Sequence, residues 1–219
     1  MDLIIQNINS ELLFVLGTGC ALSLYYWLFD HGHLGVQAMR TFNRESRKRW
    51  VHAILNQTGT EILAVQVLRN SIMTATVMAS TCVLLVIAVM SLISDTDKFA
   101  SHWLEAASVQ GMWRTKVALL LLVIFLAFWH YAQAIRFYGH VGYLLGMNKI
   151  SGEDMSATGH QSMSLLNTAG HMFSSGNRYF FFSLALALWW FGLTYFFIGT
   201  ISLTWMSWWL DRRALSRDA

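Results

Sequence analysis

The sequence predicts an all-α integral membrane protein, a bundle of four transmembrane helices with a basic amphipathic interfacial helix between spans one and two. Three observations predict it. Of the 219 residues, 55% are hydrophobic and 12% charged, about half the charged share of an average soluble domain. Four stretches, at about 12–29, 71–93, 117–134 and 179–210, are apolar over the ~20 residues that a bilayer crossing needs. Proline, the residue that breaks helices most reliably, is absent. Leu119–Trp129 and Phe180–Phe197 are apolar all round, which excludes the polar face that a helix of a soluble bundle keeps.

The first span, Leu12–Phe29, follows Asp2 rather than a basic leader, and no small-residue cleavage site succeeds it. It therefore reads as an anchor and not as a signal peptide. The basic segment 40–52 comes next, with Arg40, Arg44, Arg47, Lys48 and Arg49 inside ten residues. Met39, Phe42, Trp50, Ile54 and Leu55 recur against them at near-helical spacing. That pattern predicts a helix in the headgroup layer, anchored by Trp50, whose five cations attract acidic lipids. The positive-inside rule makes this segment cytoplasmic and the amino terminus external. Carried onward, the count places nine Lys/Arg inside, Arg69 among them, and six outside, of which Arg212, Arg213 and Arg217 in the tail are misfits. Cys20 and Cys82 stand alone in apolar runs and form no disulfide framework.

Span two is preceded by Glu61 and leads into span three through the external section Ser94–Arg114. Residues 139–178 read as a polar cytoplasmic loop, with Ser151-Gly-Glu-Asp-Met as a turn and Ser156–Phe173 as a short helix. The last apolar stretch, Tyr179–Leu210, is longer than a bilayer requires, so it should tilt, project into water, or bend near Gly192 or Gly199. Trp103, Trp113, Trp205, Trp208 and Trp209 fall near the external boundaries, where indoles favour the interface.

In this topology polar groups of spans two, three and four share the cytoplasmic side. Gln66, Arg69 and Asn70 are spaced i, i+3, i+4 and occupy one face of span two. Span three contributes His130, Gln133 and Arg136, with His140 beyond them, and of these His130, Gln133 and His140 fall within a roughly 80° sector. Span four opens on Asn177 and Arg178. Together Gln66, Arg69, Asn70, His130, Gln133, Arg136 and Arg178 form a candidate pocket with more cation than anion, suited to a carboxylate, phosphate or lipid headgroup. The competing reading is structural: the arginines snorkel, and the amides tie helices together.

His160, His171 and Met163 are weak metal candidates, because thioether and imidazole suit copper but their spacing matches no compact ligand pattern. A bis-histidine haem needs two histidines at matched depth, and only His130 lies near a span interior. No nucleophile elbow, zinc helix, phosphate loop or Cys-x-x-Cys is present. These absences point away from an enzyme, and no cofactor is expected. The net charge of +3 belongs to membrane orientation rather than to nucleic-acid binding.

Several runs carry a family resemblance. They are Asn43-Arg-Glu-Ser-Arg-Lys-Arg-Trp-Val, Ile62-Leu-Ala-Val-Gln-Val-Leu-Arg-Asn-Ser-Ile-Met and Met78-Ala-Ser-Thr-Cys-Val-Leu-Leu. His130-Tyr-Ala-Gln-Ala-Ile-Arg-Phe-Tyr and Gly176-Asn-Arg-Tyr-Phe-Phe-Phe, followed by Leu186-Ala-Leu-Trp-Trp-Phe-Gly, extend the set. Over about Phe42 to Gly192 the chain resembles the membrane-protein family called domain of unknown function 599, although it lacks the proline expected before the basic segment. The resemblance implies a multi-span membrane protein of bacteria and plants with no established activity. The expectation is therefore a non-enzymatic protein of the bacterial inner membrane, an accessory or scaffold subunit that binds other membrane proteins or itself. A carrier or channel for a small anion or headgroup is the alternative, and a haem or quinone redox subunit the third.

Overall fold

The computed structural model describes residues 13–19, 39–57, 59–94, 109–151 and 155–215, and everything regular among them is helical. Residues 13–19 form part of a helix. The long elements are α1 (Met39–Asn56), α2 (Glu61–Ser94), α3 (Val109–Ser151) and α4 (Met155–Leu188). A 3-10 turn at Trp189–Phe191 then precedes α5 (Leu193–Leu215). Most of the predicted first span (Cys20 included), Trp103 and the tail residue Arg217 lie outside the described residues, as do the side chains of Arg40, Arg212 and Arg213.

Two helices are long and apolar enough to cross a membrane, Glu61–Ser91 within α2 and Thr115–Gly146 within α3. Only 22% and 33% of their most apolar windows are buried, whereas the core helix of a soluble protein would be covered on most sides. Leu84, Val77, Leu122 and Phe125 are among the large apolar side chains that face outward. This is the surface of a membrane-associated chain.

Three sequence expectations change. The stretch 139–178 is not a loop: α3 runs on to Ser151 and α4 begins at Met155. Polarity alone does not end a helix; turn chemistry does, and no proline or positive-φ glycine falls within either helix. Span two likewise starts ten residues early, at Glu61. The last stretch, by contrast, is divided: Gly192 adopts φ 132°, a conformation that only glycine takes without strain. The bend near Gly192 is thus a break, and the apolar helix after it, Leu193–Met206, is shorter than a full crossing.

The chain divides into two compact units. One comprises Arg44–Asp95 and Leu119–Leu184 and is a four-helix arrangement. Val51 and Ile54 of α1 meet Ala64 and Leu68 of α2, Ala134, Tyr138, Val141 and Leu145 of α3, and Leu166 and Ala169 of α4. Trp50, Leu55, Phe137 and Phe173 pack around them. The basic helix therefore packs as a member of the bundle through Val51 and Ile54. Two residues at i, i+3 give it a buried stripe, while Arg44, Lys48, Arg49 and His52 stay exposed. Of the six buried residues described on α2, four are small, Ala64, Ala75, Ala79 and Cys82, which lets helices approach closely where dispersion and fit drive association.

A short turn sets the α1–α2 pairing. Gly59 has φ +83°. Thr60 N-caps α2, its carbonyl accepting from the Ala64 N–H at 3.0 Å. Its hydroxyl lies 2.9 Å from the Gln57 carbonyl and 3.2 Å from that of Ile54, closing the end of α1.

The second unit comprises the described parts of Met1–Asn43, Thr96–Ala118 and Ala185–Ala219. Here the Trp189 ring, 1% exposed, packs on Phe196 with centroids 6.4 Å apart. Gly199 admits the Leu188 side chain against α5. Lys116 of α3 donates from Nζ to the Trp189 carbonyl at 3.2 Å and lies 4.7 Å from the Trp189 ring centroid. A cation there complements the negative end of α4, where helical carbonyls lose their partners.

Candidate functional site

The polar side chains that resembled motif residues in the sequence meet each other along α3 and α4. Tyr131 is fully buried, and its hydroxyl donates to Asn177 Oδ1 at 2.6 Å. Its ring stands edge-on to Phe173 at 5.7 Å. On the other side the ring lies against the backbone of Gly176: a Cβ there would be 2.9 Å from Cε1 and 3.0 Å from Cδ1. One residue earlier, His130 Nδ1 lies 2.7 Å from the Leu126 carbonyl, so that nitrogen carries the proton. The His130 ring stacks on Tyr179 at 4.9 Å. His130-Tyr131 and Gly176-Asn177-Arg178-Tyr179 are therefore two halves of one interhelical clasp.

A second contact ties α1 to α4. The Arg47 guanidinium lies over Gly170, where a Cβ would overlap it. Arg47 is thus turned into the bundle, apart from the exposed Arg44, Lys48 and Arg49 of the same basic cluster, and is not available as the lipid contact that its sequence position suggests. Nearby on α4, Ser162 Oγ and Asn167 Oδ1 are buried without a hydrogen-bond partner.

The remaining predicted site residues are spread out. Taking ~100° per residue, Gln66 falls opposite the buried stripe of α2, with Arg69 and Asn70 to either side of it on the same outer face; all three are exposed. Arg136 is exposed and opposite the buried stripe of α3, with His140 beside it. His130, Gln133 and Arg178 are half-buried. Among the described residues no hydrogen bond or ring contact links Gln66, Arg69 or Asn70 to His130. The structure thus brings His130 together with the start of the last apolar stretch and leaves the span-two group on an outer surface. His160 and His171 are exposed on α4, eleven residues or ~16 Å apart along the axis, too far to share an ion with Met163. Among the described residues no three His, Cys, Asp or Glu are grouped to hold a metal.

Tyr131, Gly176, Gly170, Lys116 and Trp189 had not been singled out as site residues. Tyr131 and Gly176 were legible only as members of recurring runs, since a tyrosine in an apolar stretch looks like ordinary packing.

The family model described as "Protein of unknown function, DUF599" matches residues 12–215. The chain belongs to this family. The DUF599 match extends beyond both ends of the Phe42–Gly192 resemblance, and it encompasses the clasp, the basic helix and the break at Gly192. No curated protein and no solved structure matches the chain.

Proposed function

We propose that this DUF599 protein is a non-enzymatic, multi-pass subunit of a larger bacterial inner-membrane complex, with an accessory or scaffolding role. One observation carries the reading: Gln66, Arg69 and Asn70 face outward near the start of an otherwise apolar helix. In hydrocarbon an outward amide is costly and is ordinarily met by a group on a neighbouring helix. The inward polar groups, by contrast, serve internal packing: Tyr131 holds Asn177, and His130 holds the Leu126 carbonyl.

The basic helix is on the cytoplasmic side in this proposal, with the amino terminus outside; Arg44 and Lys48 are exposed toward acidic headgroups, and Arg49, also exposed, pairs with Glu45 at 3.6 Å. Native mass measurement of the full-length protein, extracted in mild detergent, tests the role. A stoichiometric complex is expected, and a lone monomer would overturn it. Reporter fusions within the 40–52 segment should give cytoplasmic signal.

A further inference from the structure

The polar side chains of α2 between Gln66 and Thr81 differ in how they are satisfied. The hydroxyls of Ser71, Thr74, Thr76 and Thr81 all return their protons to their own helix, to the carbonyls of Val67, Asn70, Ile72 and Val77. They ask nothing of the surroundings. The side chains of Gln66, Arg69 and Asn70 make no hydrogen bond or ion pair among the described residues, and their neighbours Val65, Met73 and Val77 are 55–62% exposed apolar groups.

Depth sharpens the problem. The apolar helix Glu61–Ser91 has 31 residues, ~46 Å long, so centred on a ~30 Å hydrocarbon core it extends ~8 Å beyond each side. Asn70 then lies ~5 Å inside the core. Arg69 can snorkel from that depth, but asparagine cannot. A lipid phosphate at the headgroup level therefore answers Arg69 and leaves the Asn70 amide unmet.

A second copy answers it poorly too. In a two-fold contact between copies inserted with the same orientation, α2 pairs in parallel and sets Arg69 against Arg69. The only carboxylate in Glu61–Ser91 is Glu61 itself, eight residues or ~12 Å away, and Thr115–Gly146 has none.

Resting on the subunit reading above, we propose that this face docks a transmembrane helix of a different polypeptide. That helix carries an aspartate or glutamate at the depth of Arg69, with an amide or hydroxyl residue about one turn away to pair with Asn70 and Gln66. Guanidinium and carboxylate supply the charge complementarity, and the flanking amides fix register.

The test places a photo-crosslinking amino acid at position 73, one turn beyond Asn70 on the same face, in the full-length protein in its native membrane. The expected product is one polypeptide other than this chain, with a carboxylate in its crosslinked span. Its yield should fall about tenfold or more with Arg69→Glu, equivalent to ~1.4 kcal/mol. It should persist with Arg69→Lys and return when the partner's carboxylate is exchanged for arginine in the Arg69→Glu background. Arg69→Leu, which removes the charge without burying one, should also lower the yield while the detergent elution profile is unchanged. Crosslinks to lipid alone, to a second copy, or to a partner indifferent to Arg69→Glu and Arg69→Leu would each overturn the inference. If a stoichiometric complex persists in those cases, the subunit reading stands while this surface falls; absence of any complex removes both.

Discussion

Replacing Gly176 by alanine should destabilise the protein even though alanine is the better helix former. The added Cβ would sit 2.9, 3.0 and 3.2 Å from three atoms of the Tyr131 ring. The ring has nowhere to retreat: it is fully buried, held edge-on by Phe173, and tethered through its hydroxyl to Asn177. Overpacking of this kind costs ~1–3 kcal/mol, and a hydrogen bond lost in the adjustment adds ~1 kcal/mol. Alanine's helix preference returns ~1 kcal/mol, leaving a net loss of ~1–3 kcal/mol. In thermal unfolding followed by detergent size-exclusion chromatography, that is a fall of ~3–10 °C for a chain of this size. Gly139 in α3 provides the contrast, because a Cβ there meets nothing within 4 Å; Gly139→Ala should raise the midpoint. The loss at Gly176 should also shrink in a Tyr131→Leu background, where the ring no longer opposes the methyl. A Gly176→Ala protein as stable as the wild type would refute the clasp as drawn.

At Gly170 the obstructing group is the far end of the flexible Arg47 side chain, so Gly170→Ala should cost less, under ~1 kcal/mol, and nothing in an Arg47→Met background; the same unfolding assay reads both. Gly192→Ala meets only Tyr195 Cδ2 at 3.8 Å, but its φ of 132° strains any L-residue, by ~1–3 kcal/mol. Faster proteolysis between α4 and α5 is the expected signature. Lys116→Met removes the hydrogen bond to the Trp189 carbonyl and the cation over its ring, which should lower stability by ~1–2 kcal/mol and alter tryptophan fluorescence. An unchanged spectrum and midpoint would remove Lys116 as the cap of α4.

Helical class was legible because it depends on local facts: long apolar runs, no proline, and glycine at 192 in a stretch too long for one crossing. The continuity of α3 and α4 through 139–178 was not legible, because polar composition resembles loop composition although hydrogen bonding along a helix is indifferent to it. The packing of the basic segment was not legible for a related reason. Amphipathicity shows that Val51 and Ile54 need an apolar neighbour, but lipid and protein are equally apolar, so only the packed bundle selects between them. The candidate pocket shows the same boundary. The i, i+3, i+4 spacing correctly put Gln66, Arg69 and Asn70 on one face of α2, since helix geometry alone decides it. Whether that face turns inward is set by the rotation of each helix about its axis, which depends on where small residues such as Ala64, Ala75 and Ala79 allow close approach. By itself, then, the sequence determined which residues share a helix face and offered Gly192 and Gly199 as places for a bend, of which the structure uses Gly192. Tertiary structure decided which faces meet, joining Tyr131 to Gly176 and Asn177 and leaving Arg69 outside, because side-chain volumes from separate helices fit together only after the chain has folded.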